Sequence, residues 1–202
     1  MSLLERGTIL GFSIAAPVGP IGVLVIRESM TAGWKAGLLT GLGAATADGL
    51  YGLIGGLGLT AISALLVSHA TALRVVGGLF MLWLGARTFL ALPASDVKGT
   101  ATRADGRIYL TGLLLTVTNP MTILAFAAMF AGIGLGSGVE GGGSGVATLV
   151  AGVLAGSTAW WLMLSGAASI AGRRLTPSRL RWVNRASGLI IAVFGTVALV
   201  AA

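Results

Sequence analysis

The sequence predicts an all-α integral membrane protein of six transmembrane helices, built as two inverted three-helix repeats with interrupted first and fourth helices. Three observations predict it. Of the 202 residues, 55% are hydrophobic and only 9% are charged, and mean hydropathy is +0.96. Soluble domains carry about 25% charged residues, so this chain cannot cover itself with charge and must use lipid as solvent. The apolar residues fall into six stretches, each near the 20 or so residues that cross a hydrocarbon layer. Proline breaks recur at matching places in the first and fourth of them.

The stretches run from 8 to 26, 37 to 58, 72 to 92, 109 to 131, 146 to 170 and 186 to 202. Each is apolar all round, without the alternation of a membrane β-strand. The 33 glycines are often four apart, as in Gly33, Gly37 and Gly41 or Gly152 and Gly156. Small residues at that spacing let membrane helices approach closely. Connections are short, so residues 1–202 read as one transmembrane domain, with halves 1–92 and 109–202 joined by 93–108. Arg6 and the run behind it imitate a signal peptide, but the run continues past Pro17 to Ile26 without a small-residue cleavage site, so the segment is expected to stay.

Basic residues set the orientation. Arg27, Lys35, Arg87, Lys98, Arg103, Arg107, Arg173, Arg174, Arg179, Arg181 and Arg185 lie in or beside the first, third and fifth connections, and only Arg6 and Arg74 lie on the other side. Lys and Arg beside helix ends mark the cytoplasmic face. Both termini are therefore expected outside, which requires an even number of crossings. Five crossings with one re-entrant segment is the alternative. The basic loops read as an orientation signal and as attraction to anionic lipid, not as a nucleic-acid site.

The breaks carry the chemistry. Ala16-Pro17-Val18-Gly19-Pro20 and Val117-Thr118-Asn119-Pro120 each interrupt a helix and can start a new one, because proline lacks an N–H and suits the first helical position. Asn119 would cap the second half-helix. Gly19 would hold the same place in the first and let a solute reach the backbone. A half-helix start offers unpaired donors and partial positive charge to a carboxylate. Three helices per half is odd, so the halves must be inverted, and matched breaks in inverted repeats point to a transport site.

Asp48 is the one acid deep in any stretch, and an intramembrane acid is a functional candidate by default. It and both breaks lie about 14–17 Å from their stretch ends at 1.5 Å per residue, which is the bilayer midplane. Asp48 suits the ammonium of a substrate or a coupling proton, with Thr46 and Tyr51 as hydrogen-bonding company. Arg87 is expected to snorkel to the surface. Trp160 and Trp161 read as packing residues, Trp34 and Trp182 as interface anchors. His69 falls in an outer connection, and Gly141 to Gly145 reads as a flexible outer loop.

With Ala16-Pro17-Val18-Gly19-Pro20, Gly33-Trp34-Lys35-Ala36-Gly37-Leu38, Gly41-Leu42-Gly43, Ala47-Asp48, Leu82-Trp83-Leu84-Gly85-Ala86-Arg87 and Thr118-Asn119-Pro120-Met121-Thr122 in this order, the chain resembles the lysine exporter (LysE) superfamily of amino-acid efflux permeases. The resemblance implies secondary-active, proton-driven export of amino acids or similar zwitterionic or cationic solutes across the bacterial cytoplasmic membrane. It carries over Pro17, Gly19, Pro20, Asp48, Asn119 and Pro120 as substrate-binding or coupling positions, with Thr46, Tyr51 and Thr122 supporting. Many members place a polar residue after the first Gly-Pro, where Ile21 and Gly22 stand here, which argues against lysine, arginine or threonine in particular. The alternatives are a divalent metal cation exporter of the same fold and a non-transporting membrane scaffold. The chain has no cysteine, so thiol redox chemistry is excluded and the metal ligand set is thin. No cofactor, resident metal or enzymatic activity is expected. The partners are a small-molecule solute, protons and the lipid bilayer, and homo-oligomerisation is left open.

Overall fold

A computed structural model describes residues 1–58, 68–91, 105–133, 139, 141–173 and 175–201. Eight helices organise them: α1 (Leu3–Ala15), α2 (Pro20–Ala32), α3 (Trp34–Gly56), α4 (Ala70–Phe89), α5 (Asp105–Val117), α6 (Pro120–Ile133), α7 (Gly142–Gly172) and α8 (Pro177–Val200).

The first apolar stretch is longer than expected, because its start is set by a cap. Ser2 Oγ accepts from the Glu5 N–H at 3.3 Å, and the Ser2 N–H donates to Glu5 Oε2 at 2.8 Å. This reciprocal pair satisfies two donors at a helix start. The stretch then breaks as expected. α1 and α2 meet at 80°, and the Gly19 N–H closes the turn on the Pro17 carbonyl at 2.9 Å. The fourth stretch is also interrupted, into α5 and α6 on either side of Thr118 and Asn119.

Gly33, with φ of 92°, is the whole connection between α2 and α3. Only glycine takes that backbone at little cost. Gly141 (φ 92°) and Gly142 (φ 59°) are also left-handed. They begin α7, so the glycine run is a helix start and not the flexible loop expected. Of the basic residues assigned to connections, Lys98, Arg103 and Arg174 lie outside the described residues.

Among the described residues, three helices are long and apolar enough to cross a membrane singly, over Thr71–Phe89, Gly142–Gly172 and Pro177–Val200, and the bent pair α1 and α2 qualifies together. α3 has 23 residues, about 34 Å of helix. Much of it is buried between other helices. The outer surface exposes Leu79, Trp83, Leu162, Met163, Ile170, Leu189 and Val197, a coat suited to lipid rather than water. Trp34 and Trp182 are exposed among them.

Glycine governs how the helices meet. A Cβ on Gly11 of α1 would lie 2.1 Å from the Val153 carbonyl oxygen of α7, and one on Gly156 would lie 2.0 Å from that of Thr8. α5 lies equally close to α3: a Cβ on Gly112 would sit 2.0 Å from the Thr40 carbonyl oxygen. α4 and α8 meet through Gly85 and Gly188. Contacts this close gain dispersion energy where no hydrophobic force draws helices together. Gly41 likewise brings α3 close to α7, since a Cβ there would lie 2.4 Å from that of Trp161, and this side-by-side pair places the site.

Candidate substrate cavity

A cavity of about 390 Å³ opens at the two breaks, within the range of about 300–1,000 Å³ common for small-molecule sites. Pro17, Gly19, Pro20, Asp48, Asn119 and Thr122 all line it. The structure therefore gathers these sequence-chosen residues, from α2, α3, α6 and the two breaks, around one space. Pro120 begins α6 at the same place.

The two breaks differ. At the second, the Asn119 side chain accepts from the Met121 N–H at 3.1 Å, and its carbonyl accepts from the N–H groups of Thr122 and Ile123 at 3.1 and 3.3 Å. Asn119 thus caps α6, as its type and position imply. At the first, Gly19 has no side chain to cap with, and among the described residues no acceptor meets the N–H groups of Ile21 and Gly22. Both residues line the cavity. A Cβ on Gly19 would meet nothing within 4 Å. The open helix start is that of α2.

Asp48 is 2% exposed. It accepts from Ser157 Oγ of α7 at 2.7 Å, and Ser157 in turn accepts from Trp161 Nε1 at 3.0 Å. Thr46 and Tyr51 are not its hydrogen-bonding company. Thr46 takes the Tyr109 hydroxyl at 2.7 Å and donates to the Leu42 carbonyl at 2.9 Å. Tyr51 donates to the Val117 carbonyl at 2.7 Å, and so satisfies an orphan acceptor where α5 stops. Both tyrosines fasten α3 to α5 instead of serving the carboxylate.

Three contributors were missed in the sequence. Ser157 and Trp161 are four apart on one face of α7, a spacing that was visible, but nothing local ties them to Asp48. Trp161 lines the cavity and is buried, while Trp160 packs edge-on against Phe12 at 5.4 Å. Arg74 stands at the outer edge of the third stretch in the sequence. It lies in α4, lines the cavity and donates to the Ala201 carbonyl at 2.5 Å. Its guanidinium is a positive group in the space that holds the Asp48 carboxyl. His69 precedes α4 and contacts Ser68, away from the cavity lining.

Arg27 was also misplaced. It is buried in α2, where its Nε donates to Asn184 Oδ1 at 2.9 Å and it pairs with Glu28. Arg87 is exposed, as expected, with its guanidinium 5.3 Å from the Trp83 ring centre.

Broken apolar helices around a small cavity, lined among the described residues by one acid and one guanidinium, suit a membrane transporter. The LysE type translocator profile matches residues 12–202, and the chain belongs to that family. It is 27% identical over 198 residues to the "putative amino acid efflux protein YcgF" of Bacillus subtilis, covering 96% of this chain and 94% of that one. It is 26% identical over 184 residues to the "threonine efflux protein" of Escherichia coli, covering 88% and 87%. It is 29% identical over 175 residues to the "uncharacterized membrane protein YahN" of the same species, covering 85% and 77%. No solved structure matches.

Proposed function

We propose that this protein is a secondary-active exporter of amino acids or similar small zwitterions across the bacterial cytoplasmic membrane, coupled to protons. The cavity carries the reading. It offers a carboxyl at Asp48, and it offers positive character at Arg74 and at the uncapped start of α2. One solute bearing both an ammonium and a carboxylate complements both features. The guanidinium of Arg74 disfavours a bare divalent cation as cargo. The amino-acid efflux proteins among its relatives support the same class.

Pro17, Gly19 and Pro20 shape the open turn. Asn119 and Pro120 start the second half-helix, with Thr122 in its first turn. Asp48 binds the amine or cycles the coupling proton, and Ser157 holds it in place. Six crossings in two inverted repeats accommodate this arrangement. The packing supports them: α1 lies on α7 of the other half, and α5 lies on α3. The same scheme has both termini outside and the 93–108 connection in the cytoplasm.

The test is a growth screen with inhibitory amino acids, amino-acid analogues and metal salts, with and without expression. Resistance to amino acids, followed by efflux of the labelled compound, is expected. Resistance confined to metal salts would overturn the reading.

A further inference from the structure

A second chamber of about 210 Å³ lies at the other end of the same helices. Along α2 the linings pass from Ile21, in the first cavity, to Leu24, Arg27 and Glu28 in the second. Along α4 they pass from Met81 to Leu84, Arg87 and Thr88. Ile21, Leu24, Met81, Leu84 and Leu115 belong to one buried cluster. What separates the chambers is therefore a single apolar layer, about one helical turn or 5 Å thick.

The second chamber has its own charge. Among the described residues, Arg27, Arg87 and Arg107 line it against one acid, Glu28. Glu28 pairs with Arg27, and both side chains are buried. Arg27 is held from the far side by Asn184, which donates to the Ala91 carbonyl at 2.9 Å. That pair is internally compensated and fixed. Among the described residues, the other charges in the lining are Arg87 on α4 and Arg107 on α5. Both side chains are exposed at the mouth of the chamber, and guanidinium groups recognise carboxylates with paired donors.

We propose that this chamber is a second solute-binding site, in which Arg87 and Arg107 take the carboxylate of the solute before it passes the apolar layer to the Asp48 cavity. The Arg27–Glu28 pair, pinned by Asn184, forms its fixed wall. The inference rests on the exporter reading and adds to it a distinct site at the basic end of the molecule.

The experiment is counterflow of labelled L-threonine and a panel of other neutral L-amino acids in proteoliposomes. A single cysteine introduced as Lys98→Cys, in a chain that has none, reports which face is outside. Arg87→Gln and Arg107→Gln should each raise KM about tenfold at the basic face, as loss of a charge-assisted hydrogen bond implies. KM at the opposite face should stay within about twofold, and Arg87→Lys should recover part of the loss. An unchanged KM at the basic face in the double variant would overturn the site. So would an equal rise at both faces. If the chamber holds an anionic lipid headgroup instead, the effect will vanish in liposomes of zwitterionic phosphatidylcholine alone, and the proposal fails. A wild-type protein that exchanges no member of the panel refutes the exporter reading itself, which the other outcomes leave standing.

Discussion

Ser157 of α7 donates its hydroxyl to Asp48 of α3 across 2.7 Å, and this bond ties the acid of the first half to the second half at the cavity. Asp48 is set by a residue far away in sequence, while its near neighbours Thr46 and Tyr51 are engaged elsewhere. Ser157→Ala should leave the carboxyl without its donor. The protein should still insert and be purified in normal yield. Transport affinity should weaken about tenfold, in line with about 1.5–3 kcal/mol for a hydrogen bond to a charged group. Ser157→Thr keeps the hydroxyl and should retain most activity. Equal activity of the alanine and threonine variants in a counterflow assay would show that the bond has no part in transport.

Asp48→Asn preserves shape but cannot ionise. Export against a gradient should fall at least tenfold, while Asp48→Glu keeps partial activity. If Asp48 only cycles the proton, the asparagine variant will still exchange solute when no gradient is imposed. If it binds the amine, exchange will disappear with affinity. Gradient-driven export by Asp48→Asn at the wild-type rate would remove both roles.

Gly19 separates steric from conformational roles. Its backbone is extended, with φ of −97°, and a Cβ there would meet nothing within 4 Å. Gly19→Ala should therefore transport nearly normally, whereas Gly19→Leu fills the space before α2 and should abolish uptake of solute into the site. Equal loss in both variants, measured as labelled-solute binding to purified protein, would mean that the backbone and not the space is what matters.

Asn119 caps α6 through the Met121 N–H. Asn119→Leu removes the cap, at a cost of about 1 kcal/mol, and puts an apolar group into the cavity. Thermal stability in detergent should fall by a few degrees while transport falls much further. A melting shift with full transport would make Asn119 a cap and nothing more.

The glycine seams predict a different phenotype. Gly11→Ala would drive a methyl group toward the Val153 carbonyl oxygen, so α1 must lift off α7. Yield and melting temperature should drop together, as for an overpacked core. Normal stability of Gly11→Ala would show that this contact yields without cost.

The prolines made both breaks legible, and Asn119 made the second cap legible, because those residue types have few other uses inside a membrane helix. Gly19, with nothing to cap α2, marked the open one. The errors share a cause. Arg27 sits where an apolar run appears to end, and no local pattern announces that Asn184 and Glu28 will bury it. Arg74 stood at the edge of its stretch, and only packing brings it to the cavity. The glycines of 141 to 145 have a loop composition, yet two left-handed residues are enough to begin α7. Distant partners and cap geometry are tertiary facts, and hydropathy does not carry them.

The seam between α1 and α7 bears on how the protein is made. α1 leaves the ribosome long before α7, and the glycine surface that receives it belongs to the second half of the chain. During synthesis its own glycines face lipid, with no partner to match their grooves. Assembly must therefore hold an early helix in waiting until a late one arrives, the kind of long-range pairing that slows folding. A shortage of insertion machinery would harm this seam before it harmed the locally paired α2 and α3, whose one-residue link lets them dock as soon as both have emerged.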